Sequence, residues 1–338
     1  MSAFVHHLKI TPPTTEEPHN TVPLYSAYNK DEEKRTKGSS GSVFLSLAEC
    51  ILLKGGYVVG AAFDEHLKLR HRIIDSVDAI EPLLKSKYVQ SGTTGIFTKV
   101  KEKLLEGKQV VFCGTPCQCE AMRNYVGRLL QDNLLLVDFL CHGVPSQKLF
   151  EDFLRHFEKE TKCNVINFQF RIKNDKGVHN CLIKYEKDDK EVEEVINYTE
   201  FPFYLAYKRY FIFRESCYSC PFARPNRSTD ITIGDCWGLE KISNVQDFNK
   251  GYSLLQINNE KGKKWYDEVS DKLNVCVFKR SDAIANNHSY SKSTPKTAIH
   301  SLFKFAYAIL PFEMVFYLFM RKQYSIIVRI INKLLSIW

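Results

Sequence analysis

Between residues 43 and 53 apolar side chains recur as Val43, Leu47, Ile51 and as Phe44, Ala48, Leu52. That three-to-four spacing predicts a helix with one buried face, closed by Gly55. Residues 56–63 read as a buried strand, and Ile96, Val100 and Leu104 mark a second helix ending at Gly107. Residues 109–113 and 134–140 are continuously apolar and are separated by an amphipathic segment. Such a pair predicts parallel strands covered on both faces and joined by a crossover helix. From residue 164 to 196 the pattern becomes alternating, with a hairpin of 181–185 and 192–196 around Lys187, Asp188 and Asp189. Short strands are expected at 231–233, 252–257 and 275–278, and a short helix at 261–269. The expected class is α/β: a parallel or mixed sheet with crossover helices, an antiparallel α+β addition and a C-terminal helical tail. Four regions follow: an irregular arm (1–38), an α/β region (39–160), an α+β region (161–300) and an amphipathic helical tail (301–338).

Composition narrows the classes. With 338 residues, 44% of them hydrophobic, a disordered or fibrous chain is excluded. The +8 charge comes from 47 basic against 39 acidic residues and demands no polyanionic partner. Nucleic acid is not expected, because Arg321, Lys322, Arg329 and Lys333 are interleaved with aliphatic residues rather than stacking aromatics. The apolar stretch 305–320 is broken by Pro311 and Glu313 and falls short of the ~20 residues a spanning helix needs. It reads as helices packed on the body, with an interfacial membrane contact through 302–338 as the alternative. The first residues lack a basic segment followed by an apolar core, so the cytoplasm is expected, with at most peripheral contact at the inner face of the membrane.

The eleven cysteines are odd in number and partly clustered, which suits reduced thiols or metal ligands better than a disulfide framework. In Gly114-Thr115-Pro116-Cys117-Gln118 a strand ends, Thr115 is a suitable N-cap, Pro116 fits the first helical position and Gln118 completes a capping box. Cys117 then lies in a first helical turn, where unpaired N–H groups favour a thiolate. The next apolar run ends in Cys141-His142-Gly143, so Cys117 and Cys141 should emerge at one carboxyl edge, where open α/β sheets place ligands. Cys217-Tyr218-Ser219-Cys220 adds a C-x-x-C loop. These four could hold a zinc ion or an iron–sulfur cube, and spacing alone does not separate the two. Cys119 and Cys236 are the alternative ligands. Cys50, Cys113, Cys163, Cys181 and Cys276 read as core residues. His142 is placed either to shuttle a proton or to hydrogen-bond behind the ligands. Ser39, Ser40, Gly41 and Ser42 before the first helix offer hydroxyl and N–H groups suited to a phosphate.

Several of these segments run in one order: Ser39-Ser40-Gly41, Gly55-Gly56 through Phe63-Asp64, Ser86 through Ser91, Gly114 through Gln118, Cys141 through Ser146, and Cys217-x-x-Cys220-Pro221 followed by residues 230–238. In this the chain resembles the beta-subunit family of coenzyme F420 hydrogenases and dehydrogenases, in particular bacterial members associated with polysaccharide loci. The resemblance implies an FAD and iron–sulfur oxidoreductase that couples two-electron chemistry at the flavin to one-electron transfer. It implies flavin contacts at Ser39, Ser40, Gly41, Ser42, Lys87, Tyr88, Gln90, Ser91, Gly114 and Thr115. It also implies an external electron carrier such as ferredoxin and a small-molecule or glycan-related substrate. The cysteine-rich ferredoxin-like box that begins many relatives is absent, since the first cysteine is Cys50. One [4Fe-4S] cluster, on Cys117, Cys141, Cys217 and Cys220, is therefore expected. Ser42 stands where relatives carry a second glycine, and Cys236 where an aromatic residue is common. The rival reading is a zinc-stabilised, non-catalytic binding or assembly protein that kept the fold and contacts a membrane peripherally.

Overall fold

The computed structural model describes residues 22–321 apart from 175, 176, 243, 244 and 246. Among the described residues eleven strands form two sheets. The strands are β1 (Leu24–Asn29), β2 (Tyr57–Phe63), β3 (Leu69–Ile74), β4 (Val110–Gly114), β5 (Leu134–Phe139), β6 (Asn164–Asn174), β7 (Gly177–Lys187), β8 (Lys190–Asn197), β9 (Ile231–Asp235), β10 (Ser253–Ile257) and β11 (Leu273–Val277). The helices before the β6–β8 sheet are α1 (Glu32–Lys37), α2 (Val43–Leu53), α3 (Ile96–Leu105), α4 (Pro116–Val126) and α5 (Gln147–Thr161). After that sheet come α6 (Pro202–Lys208), α7 (Leu239–Ile242), α8 (Glu260–Asp267), α9 (Arg280–Asn286), α10 (His288–Ser291), α11 (Ala298–Ile309) and α12 (Phe312–Val315).

The large sheet has the order β11-β1-β10-β9-β5-β4-β2-β3, and the small one is β6-β7-β8. Strands β2, β4, β5 and β9 are mutually parallel, so their carboxyl ends share one edge. The two continuous apolar runs are β4 and β5, adjacent and linked by α4, as their pattern predicts. Val110, Val111, Phe112, Leu134, Leu135, Leu136 and Val137 are all essentially inaccessible to solvent. Full burial of each such side chain contributes about 1.5–3 kcal/mol, so this crossover unit is the rigid centre of the molecule. The expected hairpin is β7–β8, and β6 completes its sheet. An aromatic core containing Phe150, Phe153, Phe168, Phe170, Phe201 and Phe203 packs beneath that small sheet.

Two expectations change. Residues 24–37, read as part of an irregular arm, form β1 and α1, and β1 lies inside the large sheet between β10 and β11. Its buried positions include Ser26, Ala27 and Asn29, which carry no hydrophobic periodicity; Asn29 Nδ2 donates to Ser46 Oγ at 2.9 Å. Cys276, read as a core residue, is exposed, because β11 is an edge strand whose outer positions face solvent. In the tail, α11, α12 and a π-helical turn (Phe316–Met320) bury Phe303, Val315, Phe319 and Met320 against the aromatic core. Residues 322–338 of the expected amphipathic tail lie outside the described residues. Among the described residues no helix is long and apolar enough to cross a membrane.

Candidate functional site

One cavity of about 670 Å³ runs along the shared carboxyl edge. Its wall takes Gly60 and Ala61 from β2, Cys113 and Gly114 from β4, Phe139 to Cys141 from the end of β5, and Ile233 to Asp235 from β9. The size falls within the range of small-molecule and cofactor sites. Lys85, Lys87, Arg171, Lys208 and Arg214 contribute five cationic side chains to the wall, against the single carboxylate of Asp235. Such a lining favours an anionic occupant.

Of the ten expected flavin contacts, nine line this cavity. Gly41 does not. It is buried where a Cβ would stand 2.0 Å from the Ala27 carbonyl oxygen, so it serves a close backbone approach between α2 and β1. The serine hydroxyls are also engaged within the protein. Ser86 Oγ donates to Ser39 Oγ at 2.9 Å, Ser40 and Ser253 share a hydrogen bond of 2.8 Å, and Ser42 Oγ donates to Arg35 O at 3.1 Å. What remains is the helix start itself: Ser42 makes no side-chain cap, and Val43, Phe44 and Leu45 face the cavity. Ser42 holds φ +63°, the left-handed region that favours glycine, which fits the glycine of relatives.

Lys87 is tied down by its ammonium, which donates to Pro82 O at 2.8 Å and Leu84 O at 2.5 Å. Burial pushes its pKa down to about 7. Tyr88 packs against the rings of Tyr207 (4.5 Å between centroids) and Tyr204 (5.0 Å), and Gln90 accepts from Arg214. Ser91 belongs to a buried polar chain. The predicted capping box is present: Thr115 N–H donates to Gln118 Oε1 at 3.1 Å. Gln118 Nε2 donates to Ser91 O and Ser91 Oγ, both at 3.1 Å. Ser91 and His71 Nδ1 are 2.9 Å apart, and His71 Nε2 lies 3.1 Å from Cys113 O. A carbonyl only accepts, so Nε2 carries the proton and Nδ1 accepts from Ser91. Burial lowers the His71 pKa to about 4, which keeps the ring neutral.

Sequence reasoning missed His71. The available signal was the alternation of β3, in which Leu69 and His71 face inward while Arg70 and Arg72 face out. Arg171, Tyr204, Tyr207, Lys208 and Tyr210 were missed as well, because they reach the cavity from β6 and α6 or just beyond it, far from any motif.

Cys117, Cys141 and Cys217 line the cavity, and Cys220 lies on the same loop as Cys217. The turn after β5 is joined to that loop by Arg214 N–H donating to Val144 O at 3.0 Å and Cys217 N–H to Arg214 O at 2.9 Å. Burial raises the Cys141 thiol pKa most. The Gly143 amide works against this, and Cys217, Cys117 and Cys220 each raise it further by their charge. Burial likewise raises Cys217, opposed by the amide of Val144. Consecutive amides of one turn thus face two sulfurs, and all four cysteines lie within electrostatic reach of Cys141. Thr115 Oγ and Cys117 Sγ are 3.1 Å apart. All eleven cysteines are free thiols, and among the described residues no group of three or more His, Cys, Asp or Glu side chains is arranged to hold a metal ion.

The other cysteines separate from this group. Cys119 donates into the core toward Val137 O (3.5 Å) and Gly114 O (3.6 Å), and Cys236 is buried beside Leu140, Leu239 and Leu254. Cys50 and Cys181 are buried as expected, Cys163 is half-buried, and Cys113 is half-buried, packed against the core as expected and also lining the cavity wall. His142 lines the cavity with Nδ1 2.7 Å from Ser289 Oγ, and burial, reinforced by His288, holds its pKa down to about 4.

Comparison with known proteins agrees with this architecture. The chain is similar in structure to a chain of the F420-reducing [NiFe] hydrogenase complex from Methanosarcina barkeri, with a TM-score of 0.51 and 15% identity over 88% of this chain and 97% of that one. At that identity the likeness concerns the fold. The family described as the C terminus of the coenzyme F420 hydrogenase/dehydrogenase beta subunit matches residues 107–281, which span β4, α4, β5 and the C-x-x-C loop. On that match over half its length, the chain belongs to the coenzyme F420 hydrogenase/dehydrogenase beta-subunit family.

Proposed function

We propose that this member of an oxidoreductase family binds FAD in the cavity and one [4Fe-4S] cluster on Cys117, Cys141, Cys217 and Cys220. The observation that carries the reading is the turn after β5. Its Gly143 and Val144 amides face the sulfurs of Cys141 and Cys217, beside a cationic cavity large enough for a dinucleotide. Amide hydrogen bonds to sulfur and limited solvent exposure are levers by which a protein tunes an iron–sulfur centre. The reading requires the four cysteine side chains to draw together as the cluster is assembled.

A bound flavin exchanges electron pairs with an organic partner and single electrons with a cluster. The chain's own residues do the rest. The uncapped start of α2 and the cationic wall suit the pyrophosphate. The neutral His71–Ser91–Gln118–Thr115 chain fixes the floor of the cavity and ends at Cys117, so that floor and one ligand are held by one network. Tyr88, Tyr204 and Tyr207 exclude water from one side. A one-electron carrier protein such as a ferredoxin completes the circuit. The organic partner is a small-molecule or glycan-related substrate, and the eleven free thiols accord with the reducing cytoplasm.

The test is anaerobic purification followed by an absorption spectrum and analysis of iron, sulfide, zinc and flavin. Stoichiometric flavin with iron and sulfide is expected. Zinc without flavin would overturn the reading and establish the zinc-stabilised binding protein instead.

A further inference from the structure

Among the expected flavin contacts, the side chains of Ser39, Ser40, Ser42, Lys87, Gln90 and Ser91 are all bonded within the protein. A second group of cavity-lining residues differs. His142, Lys208, Tyr210, Asn287 and His288 come from the turn after β5, from α6 and the segment after it, and from the start of α10. The exposed Lys208 ammonium lies 5.5 Å from the Tyr198 ring centre and has no hydrogen bond or ion pair among the described residues; the Tyr210 hydroxyl has no hydrogen bond among them either. Asn287 is 2% exposed, and its Nδ2 has no acceptor. Buried donors are nearly always bonded, so an unpartnered one on a cavity wall points to an occupant. Tyr210 also holds φ +61°, a strained conformation of the kind that gathers at ligand sites.

A short hydrogen-bond chain sets what the two imidazoles present. Thr294 Oγ1 donates its one proton to His142 O at 2.5 Å, so it accepts from His288 Nε2, 3.3 Å away. His288 therefore carries a proton on Nε2. Ser289 Oγ, 3.3 Å from that same N–H, accepts from it and donates to His142 Nδ1 at 2.7 Å. Burial lowers the pKa of both rings, so each holds one proton. His142 is left with Nε2–H as a donor and His288 with Nδ1 as an acceptor, and neither atom has a protein partner among the described residues. His142 lies 5.0 Å from His288 and 6.4 Å from Tyr210 between ring centres, and the charge of Lys208 reaches it.

One ammonium and the His142 N–H match the single negative charge of a carboxylate. The His288 acceptor, the Tyr210 hydroxyl and the Asn287 amide match hydroxyl groups. Asp235 of the same wall does not oppose an anion, because it is already paired with Arg171 at 2.6 Å. We propose that these five residues form a binding subsite for a sugar acid, with its carboxylate on Lys208 and His142 and its hydroxyls on His288, Tyr210 and Asn287. Calling this ligand the organic partner of the flavin rests on the redox reading; its binding does not.

The test is isothermal titration of the chain as purified anaerobically, with iron and flavin measured in the same sample. The probes are D-gluconate and D-glucuronate, their uncharged counterparts sorbitol and D-glucose, and hexanoate, which has the carboxylate without hydroxyls. At least one acid is expected to bind about tenfold or more tighter than its uncharged counterpart, and hexanoate about tenfold or more weaker than that acid. Lys208→Gln changes an exposed side chain and should erase the preference for the acid while leaving the thermal midpoint unchanged. Binding of neither acid, equal binding of acid and uncharged counterpart, hexanoate binding as tightly as the acid, or a Lys208→Gln chain that folds and keeps the full preference would each overturn the proposal. The ligand comparisons use the unaltered chain and do not depend on how the variant folds. A sample without flavin and iron that binds the acid would refute the redox reading and keep the subsite; a sample with both that binds neither acid would do the reverse.

Discussion

At Gly143 the turn after β5 packs closely on the C-x-x-C loop. Its φ of +121° is a conformation L side chains rarely adopt, and a Cβ there would stand 2.5 Å from Phe213 Cδ2 and 3.1 Å from Cys217 Cβ. Carbon atoms rest at about 3.5–4.0 Å, so the Phe213 ring would have to withdraw by about 1 Å or more. It has little room. Phe213 is 3% exposed, with Tyr207 at 4.9 Å and Tyr210 and Tyr218 each at 6.0 Å between ring centroids. Tyr218 lies between the two cysteines of the loop, so displacement of Phe213 is passed to Cys217 and Cys220. Backbone strain of about 1–3 kcal/mol and overpacking of about 1–3 kcal/mol put the cost of Gly143→Ala at about 2–6 kcal/mol. Gly55→Ala is the matched control, since Gly55 has φ +73° and a Cβ there would meet no atom within 4 Å. It should show strain alone, about 1–2 kcal/mol. Urea denaturation of both variants, with iron and sulfide measured after anaerobic reconstitution, reads the two effects separately. Gly143→Ala should retain little iron, and Gly55→Ala should match the unaltered chain. Equal iron in all three chains, with equal stability losses in the two variants, would refute the close approach at this turn.

Three further predictions use other parts of the structure. The neutral His71 has a pKa held from 6.5 down to about 4, so the unfolded chain takes up a proton that the native state refuses in that window. Its contribution to stability is complete above about pH 6.5 and is lost as the pH falls toward 4. Urea titrations at several pH values should therefore show His71→Gln flattening the acid slope by at most about 3 kcal/mol, and parallel curves would refute this. Tyr218→Phe removes a hydroxyl that donates to Tyr210 O at 2.6 Å and accepts from Phe213 N–H at 3.2 Å. It should cost about 1–3 kcal/mol and speed iron loss to a chelator, whereas unchanged iron release would mean that this anchor does not hold the loop. Arg35 is fully buried, paired with Asp247 at 2.6 Å and 3.9 Å from the Tyr28 ring centre. Arg35→Ala should cost about 2–5 kcal/mol by chemical denaturation, chiefly through the cavity left by a fully buried side chain, since Asp247 is 34% exposed, and a loss below about 1 kcal/mol would be inconsistent with that burial.

What could be read from the sequence is what local chemistry specifies. The continuous apolar runs of β4 and β5 predict strands covered on both faces, and Thr115, Pro116 and Gln118 predict the start of α4, because runs and caps act within a few residues. Placing Cys117 and Cys141 at one edge needed only the further rule that a crossover unit is parallel. Strand β1 was illegible for the opposite reason. It is stabilised by pairing with β10 and β11, more than two hundred residues away, and its buried Ser26 and Asn29 give no periodic signal. His71 hid in the same way: one inward-facing histidine on a short strand looks like any other until Ser91 and Cys113 are seen on either side of it.

The site itself shows why motif reading stops where it does. Each cysteine segment announces a possible ligand, but whether four sulfurs face one another depends on which strand lies next to β5. On one side that neighbour is β4, close in sequence; on the other it is β9, which follows the C-x-x-C loop by about ten residues. The loop is therefore brought to Cys141 by the parallel pairing of Val137 with Ile231 and of Phe139 with Ile233. A slip of one residue in that register would turn the β9 side chains to the opposite face of the sheet and shift the loop along the cavity. The register is held by Asp230, whose side chain accepts from Leu136 N–H at 2.8 Å and whose own N–H donates to Leu136 O at 3.0 Å, with Lys261 3.1 Å away. Asp230 lines no part of the cavity, yet it fixes the registration on which the proposed four-cysteine arrangement depends. In the sequence it stands only as the first residue of a resembling segment; its physical role becomes visible when the two strands are laid side by side.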